Sequence, residues 1–169
     1  PLRHVFIMKI PSLVTIKKEL KQRNEAELVD LILQLSKLNR DNKAFLYFQL
    51  FEGDNHELYL NMVKEELEEA FQKANMRSYY TAKKSIQAIR RLMNKNLKLT
   101  KDKVTTLEVL IYFCENLIGY GYLGYHHPVI DNLYAAQVKK MEKLISGLHE
   151  DLQFDYQETL HHYQNYIRY

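Results

Sequence analysis

Apolar residues recur along this chain at the three-to-four-residue spacing of helices, in blocks separated by short polar breaks. Ser12 is placed to cap a short helix carrying Leu13, Ile16 and Leu20. Asn24 with Glu27 three residues on has the form of a capping box, so a helix is expected to run to about Asn39. Its apolar residues Leu28, Leu31, Ile32, Leu35 and Leu38 share one face. Asp41 is expected to cap the next helix, which is dense in Phe45, Leu46, Tyr47, Phe48, Leu50 and Phe51 and stops at Gly53. A helix apolar on nearly every side predicts a buried one. Asp54 with Glu57 repeats the capping box and opens a long helix through about Asn75, with Leu60, Val63, Leu67 and Phe71 facing inward.

Ser78 opens a helix whose inward positions are Tyr79, Ala82, Ile86, Ile89 and Met93. A strongly apolar helix follows from about Lys103 to Ile118, and Gly119, Gly121 and Gly124 break it. Pro128 suits the first residue of a further helix holding Ile130, Leu133, Val138, Met141, Leu144 and Leu148. A last helix from about Asp151 uses Phe154, Leu160 and Tyr163. The expectation is an all-α fold of about eight helices, an irregular bundle or stacked helical hairpins, forming a single domain over residues 8–169. Short connectors imply antiparallel neighbours. The helices from Asp41 to Glu52 and from Lys103 to Ile118 are expected to be the most buried. Residues 1–7 read as a non-native or flexible extension, with Met8 as the natural start.

Composition narrows the class. With 169 residues, 46% of them hydrophobic and 27% charged, the chain suits a soluble globular protein. Its 5 Gly and 3 Pro are too few for the many turns of a β-rich fold. The single Cys114 excludes an intramolecular disulfide, and its place in the run Val109–Cys114 predicts a buried, inert thiol. That usage points to a cytoplasmic protein. The uncharged stretch between Glu115 and Asp131 is short and broken by Gly, Tyr and His, so no segment reads as membrane-spanning.

Four features could carry chemistry. Gly119-Tyr-Gly121-Tyr-Leu-Gly124 spells a dinucleotide fingerprint, but that motif needs a strand before it and a helix straight after. Here a helix precedes and His126-His127-Pro128 intervenes, so a helix stop and tight corner are expected. Five of the 7 histidines lie between 126 and 162. Glu158 and His161 have the Glu-x-x-His spacing of di-iron bundles, which use two such pairs plus two further glutamates. With a single pair present, surface histidines and no metal are expected. Nothing resembles a nucleophile with its base, and neither catalytic residues nor a cofactor are assigned.

Charge is segregated. Residues 54–76 hold six acids against Lys64 and Lys73, while residues 77–103 hold nine bases against Asp102. At about 100° per residue, Lys83, Lys84, Arg90, Arg91, Lys95 and Lys98 occupy an arc of roughly 140°, opposite Ile86, Ile89 and Met93. Tyr80, Gln87 and Asn94 fall inside the same arc. Such a stripe suits phosphates, with Tyr80 placed for stacking. It also suits a solvated face beside an acidic neighbour, and the net charge of only +3 favours that plainer reading. The run Tyr156, Tyr163, Tyr166 and Tyr169 is either a docking surface or the closing edge of the core.

The segments Leu38-Asn-Arg-Asp-Asn-Lys-Ala-Phe-Leu, Phe51-Glu-Gly-Asp, Val63-Lys-Glu-Glu-Leu, Ala82-Lys-Lys-Ser-Ile, Ile89-Arg-Arg and Leu110-Ile-Tyr-Phe-Cys resemble a family of small, uncharacterised bacterial all-helical proteins. The likeness covers Met8 to about Leu117 and includes no catalytic signature. It implies a cytosolic all-α protein and carries over no functional residue. The expectation is therefore a non-enzymatic cytoplasmic interaction module with an unidentified protein partner and no membrane contact. The alternative is a polyanion binder, for nucleic acid or an acidic partner, using the basic stripe.

Overall fold

The computed structural model describes residues 10–51 and 56–168. The expected extension at residues 1–7, the stop at Gly53 and the cap at Asp54 lie outside them. Among the described residues there are eight α-helices and no strand. The chain divides between Leu46 and Tyr47 into two compact units.

The first unit holds α1 (Leu13–Leu20), α2 (Glu25–Leu38) and the start of α3 (Arg40–Phe51). Ser12 caps α1 by accepting from the Thr15 N–H, and the Asn24–Glu27 capping box forms in both directions, at 2.9 and 3.0 Å. Asp41 is not the cap of α3. Asn39 is extended, and its side-chain oxygen accepts from the Asn42 N–H at 2.8 Å, so α3 begins one residue before Asp41. The burial expected of this helix is also corrected. No residue of α1, α2 or α3 is buried, and Leu50 and Phe51 are 65% and 72% exposed. Apolar residues all round a helix show that it needs covering, not that its own chain supplies the cover.

The second unit holds the end of α3, then α4 (His56–Gln72), α5 (Tyr79–Leu97), α6 (Lys103–Gly119), α7 (Pro128–Ser146) and α8 (Glu150–Gln164). The apolar helix α6 forms its centre, packed against α4, α5 and α7, with α8 laid on α7. Leu107, Val109, Leu110, Phe113, Cys114 and Leu117 of α6 are all buried. Phe71 of α4 meets Phe113 at 5.8 Å between ring centres and lies nearly parallel to Tyr120 at 5.4 Å. On α4, Tyr59 is buried where the sequence pointed to Leu60, which is only half-buried. Phe154, expected inside, is 80% exposed, whereas Leu160 and Tyr163 of the same helix are buried.

The glycine motif forms the corner between α6 and α7. Gly121 takes a left-handed conformation (φ 82°) in which a side chain would be strained, and a single 3-10 turn follows over Tyr122–Tyr125. Tyr122 and Leu123 of that turn are buried, and the Tyr125 hydroxyl donates to the Met76 carbonyl. Pro128 then takes the first turn of α7. Two histidines of the C-terminal cluster serve as helix caps. His127 accepts from the Val129 N–H at 3.3 Å, and His149 accepts from the Asp151 N–H at 3.4 Å.

Candidate functional site

Helix α5 starts because Ser78 and Thr81 form a reciprocal capping box, leaving Tyr79 and Tyr80 in its first turn. Ala82, Ile86, Ile89 and Met93 are buried and hold the helix against the core. That register fixes where the cations go. Lys84, Arg91, Lys95 and Lys98 are exposed on the opposite side, while Lys83 and Arg90 are half-buried at one edge of the arc. All six expected stripe residues therefore lie outside the core. Arg90 departs from the solvent-facing expectation: its Nε is sealed from solvent and has no hydrogen-bond partner.

The acidic helix α4 approaches α5 from the flank away from the stripe. Its contacts there are with neutral groups: Asn96 donates to Glu66 at 2.7 Å, and the Tyr59 hydroxyl donates to the Asn96 carbonyl at 2.6 Å. Below them, the Ser85 hydroxyl donates to the Asn75 carbonyl at 3.2 Å. Two further acids of α4 have partners elsewhere. Glu69 pairs with Lys73 on its own helix. Glu68 accepts from Tyr112 at 2.8 Å, from Gln72 at 2.9 Å and from Tyr120 at 3.3 Å. The Tyr112 hydrogen bond and then that of Gln72 hold the Glu68 carboxyl below its ordinary range, and burial, then the contact with Glu68, pushes Tyr112 up to about 12. Lys83, Lys84, Arg90, Arg91 and Lys98 form no ion pair with a described acid. Pairing with α4 thus does not account for these five cations.

The N-terminal end of the stripe is aromatic. The Lys84 ammonium sits 4.4 Å from the centre of the Tyr80 ring, and Lys83 sits 5.5 Å from it. Hydrogen bonding by Lys84, and then its charge, lowers the Tyr80 phenol below its ordinary value. Beside it, Tyr79 stacks on His127 with ring centres 3.6 Å apart. Tyr79 is thereby covered, and Tyr80 remains 56% exposed.

The remaining candidates resolve differently. His161 lines an open cleft between α7 and α8 with Lys139 and Glu142, and no group of three or more His, Cys, Asp or Glu converges among the described residues. Of the C-terminal tyrosines, Tyr163 is buried and Tyr156 donates to Glu108 at 2.5 Å, so these two close the core; Tyr166 is exposed, and Tyr169 lies outside the described residues. Cys114 is fully buried, and burial pushes its thiol well above the ordinary range. No helix among the described residues is long and apolar enough to cross a membrane. No protein-family model, no curated protein and no solved structure matches the chain.

Proposed function

We propose that the protein is a non-enzymatic, cytoplasmic helical interaction module, and that α1 and α2 are the surface it presents to a protein partner. One observation carries the reading: these two helices bury none of their residues, while Leu13, Leu31, Ile32, Leu35 and Leu38 stand exposed on them. Contiguous exposed apolar surface on a folded chain marks an interaction site. Leu28, Leu31, Leu35 and Leu38 alternate spacings of three and four residues, the presentation by which an amphipathic helix enters an apolar groove or pairs with another helix. The partner chemistry is accordingly apolar and helical or grooved. A single buried, unpaired thiol suits a reducing compartment, in keeping with the cytosolic bacterial family that the sequence resembles.

The test is capture of partners from the native cell with the full chain and with a Leu31→Glu/Leu35→Glu variant. The same defined partner is expected with the wild type and lost with the variant. Equal recovery by both proteins would overturn the reading.

A further inference from the structure

Helix α5 belongs to the second unit. We propose that its solvent face binds single-stranded nucleic acid, with the cations from Lys84 to Lys98 following the phosphates and Tyr80 stacking on an unpaired base.

The geometry supports this in three ways. First, three acids of α4 are engaged away from the stripe: Glu66 accepts from Asn96 on the far flank of α5, Glu68 accepts from Tyr112, and Glu69 pairs with Lys73 on its own helix. The field over Lys83, Lys84, Arg91 and Lys98 is not cancelled by an adjacent ion pair. Second, cation and ring are neighbours, with Lys84 Nζ 4.4 Å from the Tyr80 ring centre. The phosphate and base of one nucleotide are themselves neighbours, so one residue can meet the charge while the next meets the π face. A ring among cations favours a single strand, whose base faces are free, over a duplex, whose faces are stacked inside. Third, at about 1.5 Å per residue the stretch from Lys84 to Lys98 is roughly 21 Å long, room for a few nucleotides and within the range of known single-strand sites. The half-buried amides of Gln87 and Asn94 line the same arc and add neutral hydrogen-bonding groups beside the charges.

The experiment measures fluorescence anisotropy of the full chain with a labelled oligo(dT) twelve-mer, a duplex of the same length, and heparin, at low and moderate salt. Binding to the single strand is expected, weakening with salt by a log–log slope of about −3, for roughly four phosphates neutralised. Arg91→Gln/Lys98→Gln should weaken it tenfold or more. Tyr80→Ala should also weaken it roughly tenfold, with the helical circular-dichroism signal unchanged in both variants. Lys139→Gln/Lys140→Gln on α7 should leave it within twofold.

No single-strand binding at low salt would overturn the proposal. Binding to heparin alone would overturn it in favour of an acidic partner. Duplex binding as tight as single-strand binding, or indifference to Tyr80→Ala, would remove the stacking role. Equal sensitivity to the α7 lysines would reduce the effect to diffuse charge. None of these outcomes depends on α1 or α2, so failure here leaves the protein-interaction reading standing, and the reverse holds.

Discussion

Asn96 on α5 donates a 2.7 Å hydrogen bond to Glu66 on α4. A neutral amide thus meets the acidic helix, although in the sequence an acidic segment and a basic one stand side by side. The choice of partner fits the two charged faces: Lys84, Arg91 and Lys98 are exposed, while Glu66, Glu68 and Glu69 are met by amides, phenols and a lysine on their own helix.

Arg90 and Arg91 should respond differently to mutation. Arg91 is exposed and unpaired, so Arg91→Gln should change stability by about 0.5 kcal/mol or less. Arg90 carries a buried Nε without a partner, and Arg90→Met removes that unsatisfied donor while keeping the aliphatic stem. The variant should be as stable as the wild type or more stable, by up to about 1 kcal/mol. Urea denaturation measures both, and a clear loss in Arg90→Met would show that the guanidinium is structural.

The double substitution Leu31→Glu/Leu35→Glu should leave the thermal unfolding midpoint followed by the buried tyrosines unchanged within about 2 °C. Leu35 is 55% exposed and α2 buries no residue, so neither glutamate loses hydration in this chain. Near-ultraviolet circular dichroism reports the tyrosines of residues 59–163. A fall of several degrees would mean that the apolar face of α2 belongs to the folding core, and the interaction reading would lose its basis.

Two phenylalanines give a calibrated contrast. Phe113 is fully buried at the centre of α6 and Phe154 is 80% exposed on α8. Phe113→Ala should cost about 3–5 kcal/mol, from lost burial and the cavity left behind. Phe154→Ala should cost about 0.5 kcal/mol or less. Equal effects in urea would contradict the packing described for α6 and α8.

Glu68 predicts an acid-side dependence. Its folded-state value lies below the ordinary 4.5, because Tyr112, then Gln72, and also Tyr120 donate to the ionised form. Its contribution is therefore fully present above the unfolded value and is lost as pH falls through the lower folded one. The stability difference between wild type and Glu68→Gln should be constant from pH 7 to about 5 and shrink below about 4. A difference that grows on acidification would reverse the sign and refute the assignment.

Much of this arrangement was legible in the sequence, because caps and period are local properties. Asn24 with Glu27, Ser78, and Pro128 marked helix starts correctly, and the apolar face of α5 was read position by position. What failed depends on three-dimensional context. The residues of α3 were read as buried from their apolar density alone, yet density carries no information about which surface covers a helix. Phe154 failed for the same reason. Tyr59 displaced Leu60 because a phenol can be buried when its hydroxyl reaches a carbonyl, here that of Asn96. The capping roles of His127 and His149 were missed, since histidine is not among the usual N-cap residues, though each directly precedes its helix. That the six basic residues lie outside the core followed from periodicity, but the flank from which α4 approaches did not, because it depends on tertiary packing.

The burial of Cys114 has a practical consequence. It is the only thiol in the chain, and it sits fully covered in the middle of the central helix of its unit. A thiol reagent added to the native protein has a single target, and it reaches that target only when α6 is uncovered. When reclosing outpaces labelling, the modification rate reads out the fraction of molecules open at any instant; under excess reagent it reads the opening rate itself. The molecule therefore contains its own one-site clock for the opening of its core, usable without introducing a label or altering a residue.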